Sequence, residues 1–430
     1  MQLNIPETRQ KRILIAGGGF AGLKLATKLT KSNFQIVLID KNNFHQFQPL
    51  YYQVATAGLE PSAISFPLRK IFQHSHNVII RIAEITAINT ELKEVTTTLG
   101  NISFDILVIA MGVDTNFFGM HSIAEKAIPM KSVAEALRLR NNLLQNFEDA
   151  LLETDVEKQK ALLNIVVVGG GPTGVEVSGT LAELKRHVLP KDYPELDFGR
   201  MNIYLVEAGS RLLSGMQEKS AQRAEDYLRK LGVNVLCNAQ VTGYDGEMVG
   251  ILNATQIPAR TLVWAAGVAG KPLSGLDEKL YSNSKRLKVN HFNQVEGFED
   301  IFALGDIALM TDEKFPQGHP QMAQPAIQQA RLLAKNLLLR ENNKPMRPYH
   351  YFNKGSMATI GRNLAVVDLP FMRFSGFLAW LTWMFVHLMA IVGVKNRLLI
   401  FINWFWNYVT YDQSLRLIIK PMQENKADNK

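Results

Sequence analysis

The sequence contains 430 residues, of which 47% are hydrophobic and 20% charged, and its formal net charge at pH 7 is +8. This length exceeds what one hydrophobic core usually organises, so two globular modules and an appendage are expected, and the ordinary composition excludes a largely disordered chain. The single cysteine, Cys237, excludes an intrachain disulfide and a redox-active cysteine pair.

The positive charge favours an anionic partner, which could be a nucleic acid, a membrane or a substrate. Lysine and arginine are spread along the chain without zinc-ligand spacing or a basic helix, so neither nucleic-acid binding nor a metal site is predicted. The polar N-terminal segment MQLNIPETRQKR does not resemble a signal peptide, and we expect the catalytic part to face the cytoplasm. Cys237, in LGVNVLCNAQ, is expected to be buried in a strand.

The first motif, RILIAGGGFAGLKLATKL, predicts a strand, a glycine loop and a helix. Gly17, Gly19 and Gly22 form GxGxxG, in which the glycines allow a tight turn, close approach of a pyrophosphate and close packing of helix on strand. Asp40 ends the next strand, QIVLID, and can bind ribose hydroxyls. The motif predicts a dinucleotide site, and the alternative is a plain glycine turn with a solvated aspartate.

The same motif recurs as IVVVGGGPTGVEVSGTLAEL, with Gly169, Gly171 and Gly174 in the glycine loop. Downstream, ILVIAMGV is matched by TLVWAAGV, so the repeating unit is a whole domain. Glu207 ends the strand NIYLVE, where its carboxylate would accept from a ribose 2′-OH and repel a 2′-phosphate, which favours NADH over NADPH. Arg211 lies close enough in sequence to weaken this preference.

The segment FEDIFALGDIA returns to strand-then-loop character, which predicts that the second copy is inserted in the first. Gly305 and Asp306 follow its strand, and the aspartate suits a flavin ribityl or phosphate group, although it could be a turn residue. The predicted fold is therefore α/β, with two Rossmann-like dinucleotide-binding domains, the second inserted in the first, plus C-terminal amphipathic membrane-associated helices. We place an FAD-binding domain at 1–119 and 295–370, an NADH-binding domain at 120–294, and a membrane-anchoring segment at 371–430.

The tandem layout with GGGFAG, GGGPTGVE and FALGD resembles the two-dinucleotide-domain flavoprotein reductases, and within them the type II NADH:quinone oxidoreductases. The resemblance runs end to end through HQFQPLYYQVATAGLEP, HPQMAQPAIQQA, KGSMATIGR and VHLMAIVGVKNRLLIFINWFWNY. It implies that FAD takes hydride from NADH and passes two electrons to a quinone, ubiquinone or menaquinone, without proton pumping. No EF-hand loop is present, and the cysteines needed by disulfide and sulfide:quinone reductases are missing.

Four polar residues receive roles from this resemblance. Gln324 and Gln328, at i and i+4 of a helix predicted over Met322–Leu339, would lie between flavin and quinone, although such a pair often just covers a helix surface. Pro325 is tolerable in the first turn, and the helix N-terminus would stabilise negative charge on reduced flavin.

Glu176, predicted in the first turn of the second glycine-loop helix, would lie near the nicotinamide and a proton path, or merely compensate the helix dipole. Lys354 would lie near the flavin edge or be solvated. The implied FAD-binding residues also include Phe20, Ala21 and Thr56.

The C-terminal run FSGFLAWLTWMFVHLMAIVGV, residues 374–394, has no formal charge and is long enough to span a membrane. Its polar residues and its many Trp and Phe residues favour the membrane interface instead, and the next apolar run, Leu398–Val409, is too short to complete a hairpin. Cationic residues flank both runs and suit anionic headgroups: Arg373, Lys395, Arg397, Arg416 and Lys420. We expect helices that lie on a lipid surface, with spanning or burial in a homodimer as alternatives.

The sequence leaves two other functions open. One is a flavoprotein that reduces a soluble protein acceptor, which would not need the C-terminal segment. The other is a membrane-bound flavoprotein that senses NADH and signals through a partner.

Overall fold

The computed structural model describes residues 4–254, 256–411 and 415–419. The chain divides into two compact units. The first unit comprises Met1–Gln46, Ser65–Asp114 and Val268–Lys354, and the second unit comprises Phe47–Ile64, Thr115–Gly267 and Gly355–Lys430. The domain boundaries drawn from the sequence stay a prediction, and parts of the predicted anchoring segment, 412–414 and 420–430 with Lys420, lie outside the described residues.

Helices α1 to α12, in chain order over the described residues, are Phe20–Leu29, Tyr51–Ala55, Leu68–Ile71, His121–Lys126, Val133–Leu152, Val156–Leu163, Pro172–His187, Leu189–Asp192, Glu218–Lys230, Ala323–Glu341, Phe377–Ala390 and Val394–Thr410. Short 3₁₀ helices cover Gln48–Leu50, Pro61–Ala63, Phe198–Arg200, Glu278–Leu280 and Gly305–Ile307.

Strands β1 to β25, in chain order over the same residues, are Arg12–Ala16, Gln35–Asp40, Phe44–Gln46, Ser65–Pro67, Val78–Ile82, Ile85–Asn89, Glu94–Thr97, Gly100–Ser103, Ile106–Ile109, Asp114–Thr115, Ile128–Pro129, Ile165–Val168, Ile203–Val206, Val233–Leu236, Val241–Tyr244, Met248–Ile251, Ile257–Pro258, Thr261–Trp264, Val268–Ala269, Leu287–Lys288, Ile301–Ala303, Ala308–Leu309, Ser356–Gly361, Leu364–Asp368 and Arg373–Ser375.

The first unit is built on a parallel sheet in the order β21-β9-β1-β2-β5. Its central strands each contain a continuous apolar run of four residues that is buried, as is typical of parallel sheets covered on both faces. Strand β21 comes from the far side of the second repeat in sequence, yet it pairs with β9. This pairing confirms that the second glycine-loop sheet is inserted in the first.

The second unit contains the matching parallel sheet, in the order β11-β18-β12-β13-β14. The central strand β12 is again fully buried and leads into α7 through a glycine loop. A separate antiparallel sheet, β23-β24-β25, precedes α11 and α12, and Ala379 of α11 packs on Ala365 and Val367 of β24.

The long C-terminal apolar run does not form one helix. Helix α11 ends at Ala390, and α12 begins only at Val394, after Gly393 with φ +83°. In the described part of the chain, no helix has both the length and the apolarity needed to cross a membrane.

The structure corrects the prediction for Cys237. Strand β14 ends at Leu236, so the cysteine lies just beyond the strand and is only half-buried. The thiol is free, and burial raises its pKa.

Candidate functional site

The first glycine loop has the geometry that a pyrophosphate needs. Gly17 has φ +106°, and a Cβ there would lie 2.5 Å from the carbonyl oxygen of Ala110. A Cβ on Gly22 would lie 1.8 Å from the Gly17 carbonyl oxygen, so close packing of α1 on β1 requires glycine. A Cβ on Gly19, the N-cap of α1, would meet no atom within 4 Å. The backbone is therefore open where the helix N-terminus favours an anion, and this fits the predicted dinucleotide.

Asp40 holds the glycine loop from the end of β2. Its Oδ2 accepts from the Gly18 backbone N–H at 2.7 Å, and its Oδ1 accepts from the Asn42 N–H at 2.7 Å. Burial raises the pKa of this carboxyl, and the two backbone hydrogen bonds oppose the rise. A carboxylate has about four lone-pair sites, so each oxygen can also accept from a ribose hydroxyl.

His45 supports the same loop and was not predicted as a site residue. Its Nδ1 lies 2.9 Å from the carbonyl oxygen of Gly18, and because a carbonyl only accepts, Nδ1 carries the proton. Burial lowers the pKa of His45, so the imidazole is neutral. The ring of Phe20, a predicted FAD-site residue next to Ala21, packs edge-on against it at 5.3 Å between centroids.

The second glycine loop repeats this arrangement. Gly169 has φ +108°, a Cβ on Gly174 would lie 1.9 Å from the Gly169 carbonyl oxygen, and a Cβ on Gly171 would meet nothing within 4 Å. Glu207 accepts from the N–H groups of Gly170 and Gly209, each at 2.6 Å. The loop fits a second dinucleotide.

Arg211 is used within its own turn, where its Nη2 donates to the Ser214 carbonyl oxygen at 2.9 Å. This contact directs the guanidinium to the protein backbone. It leaves Glu207 as the charged residue that holds the second glycine loop.

The FALGD turn is held by a glutamine that sequence reasoning missed. Buried Gln329 of α10 accepts from the Gly305 backbone N–H at 2.8 Å, and Gly305 has φ +71°. The carbonyl oxygen of Asp306 accepts from Arg286 Nε at 2.9 Å. The consecutive glutamines in AQPAIQQA offered a signal. The i and i+4 pair uses Gln328 but leaves its neighbour Gln329 without an explanation.

Gln324 and Gln328 lie on one face of α10, as predicted, and both bind backbone. Gln328 Nε2 donates to the Phe352 carbonyl oxygen at 2.9 Å, while its Oε1 accepts from the Phe352 N–H at 3.1 Å. Gln324 Oε1 accepts from the N–H of exposed Lys354 at 3.2 Å. The pair thus fixes segment 352–354 on α10, and the roles predicted for Gln324, Gln328 and Lys354 near flavin and quinone stay predictions.

Glu176 lies beyond the first turn of α7, which corrects its predicted place in that turn, and it is 8% exposed. The role predicted for it near the nicotinamide stays a prediction. Burial raises the pKa of Glu176 to about 8, and hydrogen bonding from the Thr359 backbone opposes the rise. The indole N–H of Trp383 also opposes the rise, although among the described residues no acceptor lies in hydrogen-bond geometry to it. Glu176 is therefore a neutral acid at pH 7.

Next to these residues is a cavity of about 160 Å³ in the second unit. We call it the aromatic cavity; its lining residues are Tyr52, Gln53, Thr56, Gly58, Thr180, Glu183, Val188, Thr359, Gly361, Arg362, Trp380, Trp383, Met384, Trp404, Asn407, Tyr408 and Tyr411. Trp383 stacks on His387 at 4.0 Å between centroids, and Thr56 Oγ1 donates to the Tyr52 carbonyl oxygen at 2.8 Å. Thr56 was predicted at the FAD site, and that role stays a prediction.

Comparisons with known proteins place this geometry in a family. The model of the pyridine nucleotide-disulphide oxidoreductase family matches residues 11–330, and that of the NDH2 C-terminal domain matches residues 353–410. The type II NADH:quinone oxidoreductase Ndh of Mycobacterium tuberculosis is 34% identical over 92% of this chain and 88% of its own length. The chain belongs to the type II NADH:quinone oxidoreductases.

Other type II NADH:quinone oxidoreductases agree with this assignment. NdhA of Mycobacterium tuberculosis is 36% identical over 91% of this chain and 86% of its own length, and the Haemophilus influenzae enzyme is 30% identical over 84% and 87%. The solved structure of NDH2 from Plasmodium falciparum in complex with NADH matches 96% of this chain and 100% of its own with a TM-score of 0.87 and 22% identity. This last likeness confirms the fold.

Membership of the type II NADH:quinone oxidoreductases confirms the predicted family, enzyme class and cofactors. The chain is an NADH:quinone oxidoreductase that uses FAD and NADH and does not pump protons. The two glycine loops are the sites in this structure whose backbone fits those dinucleotides.

Proposed function

We propose that the enzyme reduces its quinone in the aromatic cavity and that Glu176 supplies a proton there. The observation that carries this proposal is a buried, neutral carboxyl beside Thr359 and Trp383, two residues that line a cavity walled by aromatic rings. Reduction of a quinone to a quinol consumes two electrons and two protons. An acid with a pKa of about 8 holds a proton at neutral pH and can release it to the anionic oxygen of the reduced quinone, while the second proton comes from the aqueous side.

Each dinucleotide is assigned to one glycine loop. Gly17, Gly19, Gly22 and Asp40 would hold FAD, with Gly305 and Asp306 on its ribityl or phosphate groups. Gly169, Gly171, Gly174 and Glu207 would hold NADH. Bound FAD supplies the ring that accepts hydride and gives up electrons, and the chain supplies position and charge.

The lining of the aromatic cavity suits a flat quinone ring. Trp380, Trp383 and Trp404 line the cavity, and Trp383 lies 6.0 Å from Trp404 between ring centroids. Aromatic rings bind one another by offset or edge contacts, which accommodates a planar guest of variable substitution. Ubiquinone and menaquinone headgroups both meet this description.

We also propose that α11 and α12 lie on the surface of a membrane. Their large exposed apolar side chains make up what we call the outer face: Phe377, Leu378, Leu381, Phe385, Val386, Met389, Val394, Leu398, Leu399, Phe401, Ile402, Phe405, Trp406 and Val409. Exposed Arg373 and Lys395 flank this outer face and suit anionic headgroups. The cytoplasmic face of the membrane is the side that we expect, and a homodimer is the competing explanation for the same surface.

The first experiment follows the flavin spectrum of the purified holoenzyme in detergent, without oxygen. NADH should bleach the flavin, and a short-chain ubiquinone or menaquinone should restore it. In Glu176→Gln the bleaching should proceed at the wild-type rate, while restoration by quinone should be slowed. Equal restoration rates in the two proteins would show that Glu176 donates no proton in the reaction.

A further inference from the structure

Arg362 occupies an unusual position at the turn between β23 and β24. Its guanidinium lies between two aromatic rings, 4.1 Å from the centroid of Tyr408 and 3.9 Å from that of Tyr411. Its Nη2 donates to the backbone carbonyl oxygen of Tyr408. Both faces of the guanidinium plane are thus covered, and the group is held in one orientation.

One edge of this guanidinium has no acceptor. Nη1 is buried, and among the described residues it has no hydrogen-bond partner. A buried donor without an acceptor lowers the free energy of unfolding, and the loss is larger when the donor is charged. Arg362 also lines the aromatic cavity, so a guest that enters the cavity and displaces the groups now covering Nη1 would supply the missing acceptor.

We propose that Arg362 Nη1 donates a hydrogen bond to a carbonyl oxygen of the quinone headgroup, which makes Arg362 a positioning residue for quinone reduction. This inference rests on the proposed function, because it places the quinone in the aromatic cavity. The fixed cation would also stabilise the negative charge that develops on the quinone oxygen as electrons arrive.

The chemistry of the lining favours a neutral acceptor over a phosphate. Glu183 lines the same cavity, and its acidic side chain would oppose an anion. Phosphates are typically held by both edges of a guanidinium or by several cations, whereas Arg362 already uses Nη2 on Tyr408. A carbonyl oxygen needs only one donor edge.

The test compares Arg362→Met and Arg362→Lys with wild type in the FAD-loaded enzyme. Three of the five tryptophans line the cavity, so quenching of tryptophan fluorescence by a short-chain ubiquinone reports binding without turnover. Arg362→Met should raise the quinone Kd and KM about tenfold or more, as expected for loss of a charged hydrogen bond. The rate at which NADH bleaches the flavin should not change.

Arg362→Lys keeps the charge but loses the planar fork, so its quinone Kd should fall between the other two. Arg200→Met is the matched control, because Arg200 is exposed, pairs with Asp197 at 3.3 Å and does not line the cavity. If Arg362→Met does not fold, as judged by thermal unfolding, the Kd of Arg362→Lys decides alone. Unchanged quinone Kd in the folded Arg362 variants overturns the inference.

A cavity-filling variant separates this failure from failure of the proposed function. Thr180→Phe places a ring in the aromatic cavity without adding a tryptophan. If Thr180→Phe leaves quinone binding unchanged, the quinone binds elsewhere, and both proposals fail. If Thr180→Phe weakens binding but the Arg362 variants do not, only the role of Arg362 is wrong.

Discussion

Trp404 of α12 donates an indole hydrogen bond to Gln53 Oε1 of α2 at 2.7 Å, and Gln53 Nε2 in turn donates to the hydroxyl of Tyr52 at 2.8 Å. This chain of polar contacts ties the second C-terminal helix to the wall of the aromatic cavity. We expect Gln53→Leu to leave the buried Trp404 N–H without an acceptor and to lower the free energy of unfolding by about 1–3 kcal/mol. Urea unfolding followed by tryptophan fluorescence measures this loss, and Gln53→Glu, which keeps the acceptor, should recover most of it.

Glu176 should impose a pH limit on quinone reduction. Because its pKa is about 8, the carboxyl loses its proton as pH rises through that value, and the rate of flavin reoxidation by quinone should fall there. Glu176→Gln should be slower at neutral pH and should lack this step. A wild-type profile that is flat between pH 6 and about 9 would contradict the role, given the usual width of a single titration.

The same carboxyl should make stability depend on pH. Folding raises the pKa of Glu176 from 4.5 to about 8, so between these values the folded state binds more protons than the unfolded state. The free energy of unfolding therefore contains a contribution that is full below pH 4.5 and is lost as pH rises through 8. The midpoint temperature of thermal unfolding of wild type should fall, relative to that of Glu176→Gln, as pH rises over this window. Parallel curves for the two proteins would exclude the shift.

Gly19→Ala should separate cofactor binding from folding. A Cβ at Gly19 meets no protein atom, whereas one at Gly22 would overlap the Gly17 carbonyl oxygen. We expect Gly19→Ala to fold like wild type but to retain less flavin, because the added methyl occupies the place of a pyrophosphate. Gly22→Ala is the comparison variant and should lose both fold stability and flavin. Normal flavin content in Gly19→Ala would place the pyrophosphate elsewhere.

Glu207→Arg should weaken the use of NADH and improve the use of NADPH. The arginine removes an acceptor for the ribose 2′-OH and can pair with a 2′-phosphate. It also removes the oxygens that hold the N–H groups of Gly170 and Gly209, so the kcat/KM gained with NADPH should be smaller than that lost with NADH. Steady-state kinetics with both nucleotides measures the change, and Glu207→Gln, which keeps one oxygen, controls for loop support.

The outer face of α11 and α12 should control binding to lipid. Phe385 and Trp406 are 65% and 57% exposed, and replacing both with serine should reduce flotation with vesicles of anionic lipid. Flavin reduction by NADH should not change. If vesicle binding is unaltered while a dimer dissociates, as seen by light scattering, the face is a subunit interface and the membrane proposal fails.

The glycine loops and the parallel strands were predictable because their signals are local. Gly17 and Gly169 sit at turns with positive φ directly after buried strands, and the carboxylates that support them end the following strands. The insertion was predictable from the repeat together with the segment FEDIFALGDIA, which returns to strand-then-loop character after the second copy. Short apolar strands bounded by turn residues are typical of a buried parallel sheet, and few strand orders are compatible with the rules for their connections.

The surroundings of Glu176 were not predictable in the same way. Burial raises its pKa, and the two groups that oppose the rise, on Thr359 and Trp383, are remote in sequence, so no spacing rule finds this environment. His45 and Gln329 were missed for the same reason, because each acts on a backbone group that only the tertiary fold brings near. Two apolar runs were predicted at the C-terminus, but the end of α11 at Ala390, inside the first run, was not, because hydropathy does not reveal where a helix stops.

Helices α11 and α12 have one side against the aromatic cavity and the other side exposed and apolar. With the outer face on a bilayer, the enzyme would take its quinone from the lipid, in which a molecule with an apolar tail is already concentrated. The kinetically relevant variable would then be the mole fraction of quinone in the lipid. An apparent KM in bulk molar units should rise in proportion to added vesicle lipid, while the same constant expressed as mole fraction should stay fixed.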